Sequence, residues 1–357
     1  MKKTRVLVVE DSLTVRKRLV EALNGDPELE VVGEAEDGKT AIELCQRLRP
    51  DVITLDMMLP VMSGLAATEY VMAYWPTPIL IVSSSTNRGE LFKTYEALAA
   101  GAVEVLEKPT GEESDDQWDR TLTSTVKVVA RVKVITHPRA KFGAKPLFGR
   151  PLSPPVTSAV PKLRLIAIGA STGGPGAIVE ILRGLPPAFR LPIVLVLHLG
   201  QPFANTFAEW LDGQSPMRVA YARHGDPLPR VGEGRVIMAP ADRHLIVNDG
   251  RLLLTNGPER HSCRPSVDVL FESLAREMGA ECVACVLTGM GRDGAEGLRA
   301  IRQAGGATFA QDEETSVVFG MPRAAIELGA AGGVLPLHQI APALIGLAGY
   351  SESRERL

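Results

Sequence analysis

The sequence predicts an α/β protein built from two doubly wound domains with mainly parallel sheets. Three observations carry that expectation. Short runs of near-continuous hydrophobicity, the mark of strands buried on both faces, recur along the chain. Most are followed by text with helical spacing of apolar residues, the alternation that produces a parallel sheet. The 357 residues also exceed what one hydrophobic core usually spans.

In the first third, Arg5 to Val9, Asp51 to Leu55, Ile79 to Val82 and Val103 to Leu106 read as buried strands. Helical patterns lie near Val15 to Asn24, Thr40 to Leu48, Leu65 to Tyr74 and Glu90 to Ala100. Residues Gly111 to Trp118 are polar and acidic, and Leu122 to Val132 can form one more helix. From Thr136 to Pro161 the chain is proline-rich and basic without periodicity, the composition of a solvated linker. The predicted division is residues 1–135, a linker over 136–161, and a second domain over 162–349.

The second domain opens with LIAIGASTGGPG, Leu165 to Gly176, in which an apolar run delivers Ser171 into a glycine-rich turn. A second run, Ile193 to Leu197, ends on His198, and a third, Cys282 to Leu287, opens into Thr288-Gly-Met-Gly-Arg-Asp293-Gly. In open parallel sheets the chemistry sits outside the carboxyl ends of the strands, which is where all three residues fall. A hydroxyl becomes a good nucleophile when a base takes its proton and a carboxylate orients that base. His224, His244 and His261 are competing bases, and Asp312, after the apolar Ala307 to Ala310, is a competing acid. Asn248-Asp249-Gly250 between His244-Leu-Ile-Val and Arg251 to Thr255 predicts a β-hairpin.

Composition excludes several classes. The net charge of −3 leaves no electrostatic footprint for nucleic acid or an anionic membrane. No basic recognition helix follows the linker, which argues against a DNA-binding regulator. No apolar run reaches membrane-spanning length, and the opening MKKTRVLVVEDS places charge where a signal peptide needs an apolar stretch. A cytoplasmic location without membrane insertion is therefore expected. Four cysteines make no disulfide framework in a chain this long. Cys282-x-x-Cys285 lacks the second pair of a metal site, and in a strand its thiols face opposite ways, as core residues.

Every strand end in the first domain carries polar chemistry. Glu10 and Asp11 follow the first strand, Asp56 ends a later one, and Ser83 and Lys108-Pro109 follow the last two. Three carboxylates converging at one edge repel one another unless a hard cation such as Mg²⁺ neutralises them. The order acid pair, acid, hydroxyl, lysine resembles the receiver domain of bacterial response regulators. The resemblance implies a flavodoxin-like fold in which Asp56 accepts a phosphoryl group, Glu10, Asp11 and Asp56 bind Mg²⁺, Lys108 contacts the phosphate and Ser83 moves to hydrogen-bond it. Val105 stands where many receivers carry a switch aromatic, so a rotating ring cannot relay the signal here.

Gly169-Ala-Ser171-Thr-Gly173 matches GxSxG, whose glycines let a sharp turn expose the serine hydroxyl. By itself such a turn equally suits a phosphate at a helix N-terminus. GASTGGPGA, LVLH with Phe203-Ala-x-x-Phe207-Ala, RVIMAPADRHL, RPSVDVLFESLA, LTGMGRDGAEGL and QDEETSVVFGMPRAAIELGA then follow in order. Together with the receiver pattern they resemble the chemotaxis protein-glutamate methylesterase family, CheB type. The resemblance implies a Rossmann-like catalytic domain acting on glutamate methyl esters of chemoreceptors, with deamidation of receptor glutamines as a second reaction.

In that family reading Ser171 attacks, His198 moves the proton and Asp293 holds the imidazole in its productive tautomer. Backbone N–H groups from the Ser171 to Gly174 turn, with Thr172 among them, and from Gly289-Met290-Gly291, with Met290 preferred, stabilise the oxyanion. A chemotaxis histidine kinase is the implied phosphoryl donor, and no cofactor is implied for the ester chemistry. Leu197 before His198 and Leu199 to Pro202 after it depart from the family's usual residues, a change in the pocket wall. The implied regulation has the unphosphorylated first domain covering the Ser171 crevice. The alternative is a phospho-signalling module that only binds partners, against which the intact Ser171, His198 and Asp293 argue.

Overall fold

In the computed structural model, residues 2–84, 87–109, 115–132, 134 and 163–349 are described. The predicted linker over 136–161 lies outside them. Two compact units result. One comprises the described part of residues 1–140 with Gly200–Trp210, and the other takes the remaining residues up to 199 and from 211 onward.

The first unit runs β1 (Thr4–Val9), α1 (Leu13–Gly25), β2 (Leu29–Ala35), α2 (Gly38–Leu48), β3 (Val52–Leu55), α3 (Gly64–Tyr74), β4 (Ile79–Ser83), α4 (Arg88–Ala99), β5 (Glu104–Glu107) and α5 (Asp115–Val129). Its five strands are parallel in the order β2-β1-β3-β4-β5, the flavodoxin-like arrangement expected. Leu7, Val9, Ile53, Leu55, Ile79 and Ile81 form a buried layer with Ala41, Cys45, Ala67 and Val71 of the helices. Val105 packs at the edge of that layer.

A reading based on apolar runs misses β2 and the first turns of α5, whose later part falls in the helix expected over Leu122 to Val132. β2 is an edge strand of sequence LEVVGEA whose middle is half-exposed, so it carries polar letters. α5 begins within the acidic stretch after β5, because carboxylates suit a helix N-terminus. Its Trp118 is buried, with Nε1 donating to the carbonyl of Glu107 at 2.9 Å.

The second sheet is parallel throughout. It is laid down by β6 (Leu165–Ala170), α6 (Gly174–Gly184), β7 (Ile193–Leu197), α7 (Phe207–Gln214), β8 (Arg218–Tyr221) and β9 (Arg235–Met238). β10 (His244–Asn248) and β11 (Arg251–Thr255) then form the predicted hairpin, Asn248 facing Arg251 across Asp249 and Gly250, both with positive φ as a tight two-residue turn requires. After it come α8 (Val267–Met278), β12 (Cys282–Val286), α9 (Ala295–Gln303), β13 (Ala307–Gln311), α10 (Met321–Glu327), β14 (Gly333–Leu335) and α11 (Leu337–Leu347).

The order β14-β13-β12-β6-β7-β9-β8 shows how the sheet is wound. The chain starts in the middle at β6, builds outward to β8, and returns to lay β12 against the other side of β6. In open parallel sheets such a reversal of direction is where ligands bind beyond the strand carboxyl ends, here those of β6, β7 and β12. Cys282 and Cys285 are free thiols buried in the core, where burial pushes each up to about 12. Among the described residues, no helix is long and apolar enough to cross a membrane.

Candidate active site

β6 pairs with β7 on one side and β12 on the other, so residues following these strands emerge side by side. Ser171 donates its backbone N–H to the carbonyl of Thr288 at 3.0 Å, and His198 donates its own to the carbonyl of Ala170 at 3.0 Å. Two tight backbone positions build the serine turn. Gly173 has φ +76°, and a Cβ there would lie 2.4 Å from Val317 Cβ. A Cβ on Gly289 would lie 2.8 Å from Ser171 Cβ and 2.3 Å from Met321 Sδ, so the loop after β12 reaches the serine only as glycine.

Asp293 is buried, and its Oδ2 lies 2.9 Å from His198 Nε2. It does not cap α9, whose N-cap is Gly294. Its carboxylate instead accepts from the backbone N–H groups of Val267 at 2.7 Å and Asp268 at 3.1 Å, at the start of α8, and from Ser266 Oγ at 2.7 Å. Burial alone would raise its pKa, but the His198 and Ser266 bonds and the helix-end amide hold it below the usual carboxylate range. Burial pulls the His198 imidazolium down, yet Asp293 and the neighbouring Cys263 outweigh it and carry the group up to about 9.

The serine leg is more open than the acid leg. Among the described residues no hydrogen bond joins Ser171 Oγ to His198, whose Nδ1 faces Cys263 Sγ at 3.7 Å. Catalytic contacts of this kind commonly tighten only when substrate is bound.

Several expected oxyanion donors are otherwise engaged. The N–H groups of Ser171, Gly174 and Gly289 donate to Thr288, Ser171 and Val318 carbonyls respectively, which corrects the broad expectation for both loops. Among the described residues the N–H of Met290 finds no acceptor, and its side chain is exposed. The Thr172 carbonyl accepts from Thr288 Oγ1 at 2.9 Å, tying the serine turn to the β12 loop.

The competing residues have other partners. His224 Nδ1 lies 3.2 Å from the Leu254 carbonyl. His244 is buried between the Pro258 carbonyl and the N–H of Ser266. His261 pairs with Asp268 at 3.1 Å, and Asp312 accepts from Thr315. Ser266, Asp268 and Cys263, which lie around the His198–Asp293 pair, were absent from the sequence candidates. The serine preceding the apolar periodicity of α8 is an N-cap signature that could have drawn attention to Ser266.

In the first unit, Glu10 and Asp56 are buried at the carboxyl ends of β1 and β3, and Asp11 is exposed beside them. Lys108 Nζ stands 2.8 Å from Glu10 Oε2 and 3.0 Å from Asp56 Oδ2. Burial raises both carboxyls above their usual range; it would lower Lys108, which the two carboxylates hold up instead. Glu10, Asp11 and Asp56 offer oxygens within 4.8 Å of one another, an all-oxygen anionic set that fits a hard divalent cation. Ser83 Oγ donates to Glu90 Oε1 at 2.7 Å, and Ser84 Oγ donates to the same atom at 2.8 Å. Glu90 was not among the sequence candidates, although Asn87-Arg-Gly-Glu90 has the spacing of a helix capping box.

Comparison with known proteins places this geometry in context. The family described as CheB methylesterase matches residues 166–344, and the one described as response regulator receiver domain matches residues 6–115. Protein-glutamate methylesterase/protein-glutamine glutaminase 2 of Anaeromyxobacter dehalogenans is 44% identical over 340 residues, covering 95% of this chain and 96% of that protein. A protein of the same name, number 2 in Pseudomonas aeruginosa, is 43% identical over 361 residues, covering 99% of both chains. The crystal structure of the Thermotoga maritima CheB methylesterase catalytic domain is 38% identical, with 52% of this chain and 98% of that one covered and a TM-score of 0.49.

Proposed function

Because the chain belongs to the CheB methylesterase family and carries a receiver domain, we propose that it hydrolyses glutamate methyl esters of chemoreceptors and deamidates receptor glutamines under phosphorylation control. Residues 1–135 form the regulatory domain and 162–349 the catalytic domain of a cytoplasmic enzyme. The observation that carries the chemistry is the buried Asp293 carboxylate, 2.9 Å from His198 at the strand ends that flank Ser171.

With Nε2–H held by Asp293, His198 has its Nδ1 lone pair left for the serine proton. Ser171 Oγ attacks the ester carbonyl as its proton passes to Nδ1, and the tetrahedral intermediate places its oxyanion toward the N–H groups of Met290 and Thr172. The imidazolium returns the proton to the departing methoxide oxygen, releasing methanol. Water then attacks the acyl-serine with the same base, giving glutamate and restoring Ser171. A glutamine side chain follows the same course with ammonia as the leaving group.

Phosphorylation by a chemotaxis histidine kinase falls on Asp56. Glu10, Asp11 and Asp56 would hold Mg²⁺, which when bound offsets negative charge on the phosphoryl oxygens. Lys108 contacts the phosphate, and Ser83 leaves Glu90 to hydrogen-bond it. Methanol release from methylated receptor membranes tests both halves. Ser171→Ala is expected to abolish release, and Asp56→Ala to keep the unstimulated rate while losing activation by a phosphoryl donor. Undiminished release by Ser171→Ala would overturn the nucleophile assignment.

A further inference from the structure

The nitrogen left free by Asp293 has a sulfur neighbour. Cys263 Sγ stands 3.7 Å from His198 Nδ1 and donates to the His261 carbonyl at 3.4 Å. Cys263 is a free thiol and, unlike Cys45, Cys282 and Cys285, it is only partly buried. The donor atoms of His198, Cys263 and Asp293 all lie within 4.8 Å of one another.

This is the constellation that a soft divalent cation uses. A tetrahedral Zn²⁺ with Zn–S about 2.3 Å and Zn–N about 2.0 Å spans an S···N separation of about 3.6 Å, close to the one observed. The carboxylate occupies the supporting position. Asp293 already accepts from His198, Ser266, Val267 and Asp268, and by holding Nε2–H it presents the Nδ1 lone pair toward the thiol. Water can complete the coordination because both donor side chains are partly exposed.

We propose that Cys263 Sγ and His198 Nδ1 form a binding site for a thiophilic divalent cation of the Zn²⁺ class, and that its occupation switches hydrolysis off by claiming the lone pair needed for the Ser171 proton. Thiolate and imidazole select such an ion over Mg²⁺, which prefers the carboxylate cluster of the receiver domain. Binding itself depends only on the two donors. The inhibitory consequence rests on the reading of His198 as the base.

The test uses the full-length protein, reduced and stripped of metal. Titration with Co²⁺ is expected to produce thiolate-to-cobalt charge-transfer absorption in the near ultraviolet, and Cys263→Ser and His198→Gln each to lose it. Zn²⁺ is expected to inhibit methanol release reversibly, with a chelator restoring it. Measured against each variant's own metal-free rate, Cys263→Ser should need at least about tenfold more Zn²⁺ for half-inhibition, and Cys263→His should regain sensitivity without the thiolate band. Absence of the band in the unaltered protein, or equal Zn²⁺ sensitivity in Cys263→Ser, overturns the site. A band that depends on Cys263 together with hydrolysis indifferent to the metal supports the site and overturns His198 as base.

Discussion

At the scale of single residues, the histidine and its carboxylate set a measurable pH dependence. The proposed base, His198, must be neutral to act, and Asp293 and Cys263, acting against burial, hold its imidazolium up to about 9. In metal-free enzyme, kcat/KM should therefore rise with pH and level off only above an inflection near that value. Asp293→Asn removes the charge that favours the imidazolium, so its inflection should move to lower pH. The wrong tautomer should also cost roughly 10³- to 10⁴-fold in kcat. A kcat/KM profile flat from pH 6 to 9 would contradict the assignment. The placement of Ser171, His198 and Asp293 at one sheet edge was legible because each follows an apolar run that ends there. The groups that saturate Asp293 were not, since Ser266 and the α8 amides are joined to it by folding and not by sequence spacing.

At the scale of elements, α4 holds the hydroxyl of Ser83, the proposed switch. Glu90 sits in its first turn, where its backbone N–H donates to Asn87 Oδ1 at 2.9 Å and its carboxylate takes both Ser83 and Ser84. Engagement of Ser83 with a phosphorylated Asp56 must break a charge-assisted bond, so Glu90→Gln should ease the transition by about 1 kcal/mol. The expected outcome is about a fivefold lower acetyl phosphate concentration for half-maximal activation of methanol release. No change, or a higher requirement, would remove Glu90 from the switch. The α6 turn carries a stability prediction. Gly173→Ala puts a Cβ into left-handed backbone and against Val317, costing at least about 1–2 kcal/mol, and Tm should fall by at least about 2 °C. Strands buried on both faces announced themselves by hydrophobicity, whereas β2, half-exposed at an edge, and the acidic start of α5 did not.

At the scale of the whole molecule, the two units carry anionic and imidazole chemistry of different kinds, and metal dependence should separate them. Glu10, Asp11 and Asp56 gather three carboxylates around the ammonium of Lys108, so adding a phosphoryl group there without a cation concentrates still more negative charge. The proposed ester chemistry routes the proton through Asp293 and His198 and uses no cation. Removal of Mg²⁺ with a chelator should therefore abolish phosphoryl-donor activation while leaving unstimulated methanol release within about twofold, an effect below about 0.4 kcal/mol on the barrier. Restoring Mg²⁺ should return activation in the unaltered protein but not in Asp56→Ala. If chelation instead suppressed the unstimulated rate of Asp56→Ala, the hydrolase would need a metal of its own, and a mechanism carried by Ser171, His198 and Asp293 without one would fail.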